Sequence, residues 1–103
     1  MSHTALEIYV EETDQHHGRP LHAALIELAR DEGLSGATAF RGIMGFGVGR
    51  RIHSLHLLDV AENLPVMIKV IDSAERIAAF VLKVREIAPL AEVIAYDVRW
   101  LER

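Results

Sequence analysis

Cysteine is absent from all 103 residues. That excludes disulfides, thiolate metal sites and a cysteine nucleophile, and it suits a reducing compartment. Proline is scarce, at three residues, and no proline-rich or low-complexity tract interrupts the chain. Long apolar runs are missing too. None approaches the roughly 20 residues that span a bilayer. The opening Met1-Ser2-His3-Thr4 carries no basic region followed by an apolar stretch, so no signal peptide is expected. A surplus of positive charge is also lacking. The formal net charge is -4 and the pI is about 5.8, which argues against a nucleic-acid binder. A cytoplasmic protein is expected.

Signs of an enzyme are equally sparse. There is no Gly-x-Ser-x-Gly elbow. Ser35, Ser54 and Ser73 have turn, strand and helix-cap explanations. Glu11-Glu12 and Asp31-Glu32 sit at element ends, where solvated charge is ordinary. Neither catalysis nor a cofactor is expected.

Half of the residues are apolar and a quarter are charged, the composition of a globular chain. Its length makes one domain, over residues 1–103. Leu6, Ile8 and Val10 alternate with Glu7, Tyr9 and Glu11, the period of a half-buried strand. Asp14 to Gly18 form a polar break. Pro20 can open a helix, Leu21, Leu25 and Leu28 recur at helical spacing, and Gly33 can close it. Ala37 to Ile43 make a second strand. Pro65 to Asp72 make a third, rich in Val and Ile. Ser73 is a good N-cap. Ile77, Phe80, Val81, Val84 and Ile87 trace a second helical stripe, which Pro89 stops. Val93, Ala95 and Asp97 alternate with Ile94, Tyr96 and Val98 in a last strand.

Strand, helix, strand, strand, helix, strand is the order of an α+β fold of the ferredoxin-like βαββαβ type. It predicts a four-stranded antiparallel sheet with both helices on one face. The bare face must meet water or another subunit. Neither face of Pro65 to Asp72 is clearly polar, so oligomerisation is expected.

The most unusual segment is Gly45-Phe46-Gly47-Val48-Gly49-Arg50-Arg51. Gly42, Gly45, Gly47 and Gly49 fall within eight positions and break any regular element. Successive backbone N–H groups in such a loop can form an anion nest. Arg50 and Arg51 add fixed charge and paired donors for phosphate or carboxylate, and Arg41 lies along the same region. The Gly-Lys-Ser/Thr ending of a Walker loop is missing, and no helix follows directly. The plain alternative is a hairpin whose arginines are solvated or pair with Glu11, Glu12 or Glu62.

His53 and His56 are spaced H-x-x-H, and His16, His17 and His22 cluster at the first helix start. A divalent-metal site would need several of these plus carboxylates from separate segments. Surface or interface histidines are the simpler reading. Tyr96 and Trp100 read as core or subunit-interface packing.

Three stretches together resemble a known group. They are Gly33-Leu34-Ser35-Gly36-Ala37-Thr38, then Arg41-Gly42-Ile43-Met44-Gly45-Phe46-Gly47, then Leu64-Pro65-Val66-Met67-Ile68-Lys69-Val70-Ile71-Asp72. Their order and spacing are similar to uncharacterised bacterial proteins related to the nitrogen-regulatory PII signalling proteins, over nearly the whole chain. The resemblance implies a ferredoxin-like homotrimer that binds a small anionic ligand or nucleotide in clefts between subunits. It implies signalling to a protein partner through a loop at about 45–63, with Gly45, Phe46 and Gly47 at its base and Thr38 near a neighbouring cleft. A membrane transporter is the implied partner. The ligand-binding set is then Thr38, Arg41, Gly45, Phe46, Gly47, Gly49, Arg50 and Arg51, with no metal ligand. The alternative on the same fold is a divalent-metal-binding or metal-tolerance trimer. ATP-binding PII proteins carry a glycine-rich basic segment before the last strand. Here that place reads Ile87-Ala88-Pro89-Leu90-Ala91-Glu92-Val93, so the resemblance does not carry their mode of ATP binding. The loop also lacks tyrosine for modification.

Overall fold

The computed structural model describes residues 3–46, 53–54 and 63–101, the pair 53–54 by its backbone alone. Its core is a four-stranded antiparallel sheet. In chain order the elements are β1 (His3–Glu11), β2 (Gln15–His16), β3 (Arg19–Pro20), α1 (Leu21–Asp31), β4 (Ala37–Arg41), β5 (Met44–Gly45), β6 (His53–Ser54), β7 (Pro65–Ser73), α2 (Ala74–Ile87) and β8 (Glu92–Val98). The main sheet runs β4-β7-β1-β8. This is the ferredoxin-like arrangement expected from the alternation of patterns.

Register explains the layering. Residues directly opposite one another in an antiparallel pair share a face. Leu6 pairs with Val70, Ile8 with Ile68 and Val10 with Val66. All six are buried. They meet Leu21, Leu25 and Ala29 of α1 and Ile77, Phe80 and Val84 of α2 in one apolar cluster. The alternation that was loose in the sequence of β7 is strict in its burial, with Val66, Ile68, Val70 and Asp72 turned inward. Its other face carries Met67, Lys69 and Ile71, only partly covered.

The helix ends follow from local chemistry. Gly33 has φ +79°. The Leu34 N–H donates to the Ala29 carbonyl and the Gly33 N–H to that of Arg30, at 3.1 Å each. That is a Schellman close, and it needs the left-handed conformation glycine adopts without cost. Ser73 caps α2, its side chain accepting from the Arg76 N–H at 3.3 Å. The polar break after β1 contains more order than its composition suggested. Gln15 pairs with Pro20 and His16 with Arg19, while His17 and Gly18 take positive φ, the geometry of a two-residue type I′ hairpin.

One polar contact ties the two halves of the fold together. Asp72 is buried at the end of β7. Its Oδ2 accepts from the Ser35 N–H at 3.0 Å and from the Ser35 hydroxyl at 3.1 Å, and its Oδ1 accepts from the Ser73 N–H at 2.7 Å. Arg76 donates to the Gly33 carbonyl at 2.7 Å. The start of α2 thus holds the link between α1 and β4. Burial alone would raise the Asp72 pKa. The bonds from Ser35 and Ser73, with Arg76 nearby, outweigh it and hold the carboxyl below its ordinary value.

Asp72→Ala should therefore cost about 1.5–3 kcal/mol, the worth of hydrogen bonds to a charged group, and lower the melting temperature by roughly 10 °C. The folded state favours the ionised carboxyl. Its contribution is full above the unfolded aspartate value, roughly 3.9, and is lost as pH falls through the lower folded value. Urea unfolding of wild type and variant between neutral and acid pH checks this. The gap between the two should close at the acid end.

Candidate functional site

The two ends of the sheet carry different surfaces. At the end where β1 finishes and β7 begins, a cavity of about 710 Å³ opens. Its floor is apolar, from Val10, Leu21, Pro65, Ile87 and Ala88. One wall is the loop base, Gly45 and Phe46; the opposite wall is the link from α2 to β8, Pro89 to Glu92. Its polar groups come from Tyr9, Glu11, Asp14, Gln15 and Glu92. Among the described lining residues there is no lysine or arginine. Phe46 is 61% exposed and Leu90 97%, so the mouth is apolar and open to water.

The loop base is set by a proline. The Gly42 N–H donates to the Pro65 carbonyl at 2.7 Å. A Cβ on Gly42 would lie 2.7 Å from Pro65 Cγ, and one on Gly45 would lie 3.1 Å from the same atom. These two glycines permit a close approach of chain to ring rather than an unusual φ. Beyond them Met44 pairs with Ser54 and Gly45 with His53. A short ladder therefore joins the start of the 45–63 segment implied by the resemblance to residues 53–54 within it.

Arg41 is engaged beside this base. Its Nε lies 2.8 Å from Glu12 Oε2 and its terminal nitrogen 3.1 Å from Oε1, a two-point pair. Glu12 also accepts from the Leu64 N–H at 3.4 Å, and its own N–H donates to the Leu64 carbonyl at 2.8 Å. Arg41 thus couples β4 to the junction ahead of β7. The plain alternative raised for the arginines, pairing with Glu12, holds for this one.

Thr38 lies elsewhere. It pairs with Lys69 on the sheet face away from the helices. It lines a smaller hollow of about 240 Å³ with Ser35, Gly36, Phe40, Lys69, Ile71 and Trp100. Trp100 reaches it because the chain after β8 crosses that face, stacking Trp100 on His3 with ring centres 5.4 Å apart. Trp100 is 58% exposed, so it lines a surface hollow rather than filling the core. Within one chain, Thr38 and the pair Gly45 and Phe46 line separate hollows. Gly47, Gly49, Arg50 and Arg51 lie outside the described residues, as do His56 and the His53 side chain. Among the described residues no group of three or more histidine or carboxylate side chains is arranged to hold a metal ion.

Sequence reasoning missed two features. Pro65 read as the first residue of a strand, and its role as the seat of Gly42 and Gly45 depends on contacts across twenty or more residues. The other is a polar cluster at the centre of the uncovered face. Tyr9 donates to Glu7 Oε1 at 2.5 Å, Tyr96 donates to Oε2, and Lys69 Nζ lies 3.5 Å from Oε2. The bonds from Tyr9 and Tyr96 hold the Glu7 carboxyl below its usual value. Donating to Glu7 pushes the Tyr9 hydroxyl up to about 12. Strict alternation put Glu7 and Lys69 on this face, but register alone brings them opposite one another.

Comparison with known proteins accords with this architecture. Residues 3–100 match the family model of DUF190, Uncharacterized ACR, so the chain belongs to that family. It is 35% identical over 80 residues to a UPF0166 protein of Aquifex aeolicus, covering 78% of this chain and 76% of the relative. Among solved structures, CPII from Thiomonas intermedia K12, a nitrogen regulatory PII-like protein bound to ADP, AMP and bicarbonate, superimposes with a TM-score of 0.70. It is 18% identical, over 95% of this chain and 87% of that one. The divalent ion tolerance protein CutA1 from Ehrlichia chaffeensis superimposes with a TM-score of 0.64 at 11% identity, over 97% of this chain and 84% of that one. At those identities the two structures show the shared fold.

The two-glycine seat generates a direct test. Gly42→Ala forces its Cβ into Pro65 and should cost about 1–3 kcal/mol, as overpacking does. At Gly36 nothing lies within 4 Å of an added Cβ, and Gly36→Ala should stay within about 0.5 kcal/mol of wild type. Chemical unfolding of both variants measures the contrast. Equal effects would mean that the Pro65 contact does not constrain the loop base.

Proposed function

We propose that this member of the DUF190 family is a ligand-responsive regulator rather than an enzyme, acting as a homotrimer that binds a nucleotide or similar small anion beside the loop at 45–63. The observation that carries the reading is the cavity shared by the loop base and the α2–β8 link. A molecule filling it touches Gly45 and Phe46 directly, so occupancy is felt where the loop leaves the sheet. Ordering a loop by ligand contact is a common switch.

A nucleotide suits the chemistry of the walls. The floor of Val10, Leu21, Pro65 and Ile87 offers an apolar seat for a planar base. Glu11, Asp14 and Glu92 at the rim are acceptors for ribose hydroxyls, the use that acidic residues serve in dinucleotide sites. They would repel a phosphate. In this proposal the phosphates are therefore met by Gly47, Gly49, Arg50 and Arg51, for which backbone N–H groups and guanidinium forks are the fitting donors. Thr38, in a separate hollow of its own chain, would serve the cleft of a neighbouring copy. Arg41 holds the loop base through Glu12. The structure of CPII with ADP, AMP and bicarbonate makes adenine nucleotides and bicarbonate the first ligands to try. The partner that reads the loop is, in this proposal, a membrane transporter. The metal-binding alternative finds no ligand set among the described residues.

A thermal-shift series with ADP, AMP, ATP and bicarbonate tests the proposal. A ligand at one hundred times its Kd adds about 2.7 kcal/mol, which should raise the melting temperature by roughly 10 °C. Replacing both Arg50 and Arg51 by Ala should remove most of that rise while leaving the assembly mass unchanged. If none of the four compounds raises the melting temperature, the reading fails.

A further inference from the structure

Two aromatic residues line the cavity beside the loop base, Tyr9 and Phe46. They belong to different parts of the frame. Phe46 follows the short strand β5 at the root of the loop. Tyr9 belongs to β1, an interior strand paired with β7 on one side and β8 on the other. Its place is therefore set by the sheet and not by the loop. Directly opposite it on β8 is Glu92, another residue of the same lining.

The side chain of Tyr9 is restrained as well as its backbone. Glu7, two residues earlier, shares its face of the strand. The Tyr9 hydroxyl donates to Glu7 Oε1 at 2.5 Å. The other carboxylate oxygen accepts from Tyr96 and lies 3.5 Å from Lys69 Nζ. The Glu7 side chain is 12% exposed, so the acceptor is itself held in place. A tyrosine has only two side-chain torsions, and a bond from its tip to a fixed carboxylate restrains both. That bond also uses its one hydroxyl donor. What Tyr9 offers the cavity is then its ring, and the residue keeps 36% exposure.

We infer that Tyr9 is the shelf on which the base of a bound nucleotide stacks, and that Glu7 is the positioning residue that holds the shelf in place. This rests on the nucleotide reading above and names the side chains that recognise the base. Aromatic rings stack on any base through its flat face. The Tyr9 ring adds such a wall to the apolar floor of Val10, Leu21 and Pro65. Glu92, sharing the face of Tyr9 across the ladder, puts an acceptor beside it for a ribose hydroxyl or an exocyclic amino group. A ring fixed before the ligand arrives does not have to be ordered on binding, and that is how preorganisation raises affinity.

Calorimetric titration of the full chain with ADP tests the inference, with ribose 5-phosphate as the probe that lacks a base. Tyr9→Ala should weaken ADP binding by roughly fivefold to a hundredfold, the range for loss of one base–aromatic stack. Tyr9→Phe keeps the ring and loses the tether, and should weaken ADP binding by about two- to fivefold. Glu7→Ala should match Tyr9→Phe, and combining the two should add less than about twofold, since both remove the same bond. Ribose 5-phosphate should bind wild type and all four variants alike. Circular dichroism checks that each variant is folded. Should Glu7→Ala fail to fold, the two Tyr9 variants decide the matter. A folded Tyr9→Ala that binds ADP within about twofold of wild type would overturn the inference and leave the nucleotide reading standing. So would equal losses for ADP and ribose 5-phosphate, or a Glu7→Ala effect undiminished in the Tyr9→Phe background. A wild type that does not bind ADP would overturn the inference, and if AMP, ATP and bicarbonate fail as well the nucleotide reading falls with it.

Discussion

Two helices of eleven and fourteen residues can cover only one side of a four-stranded sheet, and that constraint organises everything else in the molecule. The covered side is a conventional core. Leu6, Ile8, Val66, Ile68 and Val70 lie under Leu25, Phe80 and Val84, nearly free of solvent. At about 25 cal/mol per Å² of apolar surface, this is where folding free energy originates. What remains is one bare face and two sheet ends. Each of them shows chemistry that a core does not need.

At one end, a proline sets the geometry. Pro65 opens β7 and receives the Gly42 N–H on its carbonyl, while its ring occupies the space a side chain on Gly42 or Gly45 would need. Glu12 binds Arg41 and the Leu64 N–H at the same corner. A loop anchored by hydrogen bonds, an ion pair and a close ring contact has a fixed root. The cavity beside Gly45 and Phe46 opens against that root. At the other end, Asp72 and Arg76 fasten the link that enters β4. The two ends have exchanged roles: one is closed by buried hydrogen bonds, the other left open as a cavity.

Much of the fold was legible from the spacing of apolar residues. Leu6-Ile8-Val10 and Ile77-Phe80-Val84 are unambiguous at periods of two and near 3.6, and Gly33 and Ser73 mark helix ends by known local bonds. Less was legible where the determining contact is distant in sequence. Ser35 and Asp72 are thirty-seven residues apart, and nothing in a Ser-Gly or Ile-Asp dipeptide announces their bond. The same holds for Glu7 and Tyr96, brought together by strand register across eighty-nine residues. Of the expected ligand-binding set, Gly45 and Phe46 do line a cavity. Thr38 lies at a separate hollow, and Arg41 is committed to Glu12. Charge type was readable from the sequence; the partner each charge would take was not, because that depends on which strands become neighbours.

Amide hydrogen exchange, followed with and without saturating ADP, tests the central claim most directly, because it reports where a ligand acts rather than only that it binds. The account predicts slower exchange at Met44 to Phe46 and at Ile87 to Glu92, the two walls of the cavity, with the helix-covered strands unchanged. Slowing confined to other segments, or none in these two, would contradict it.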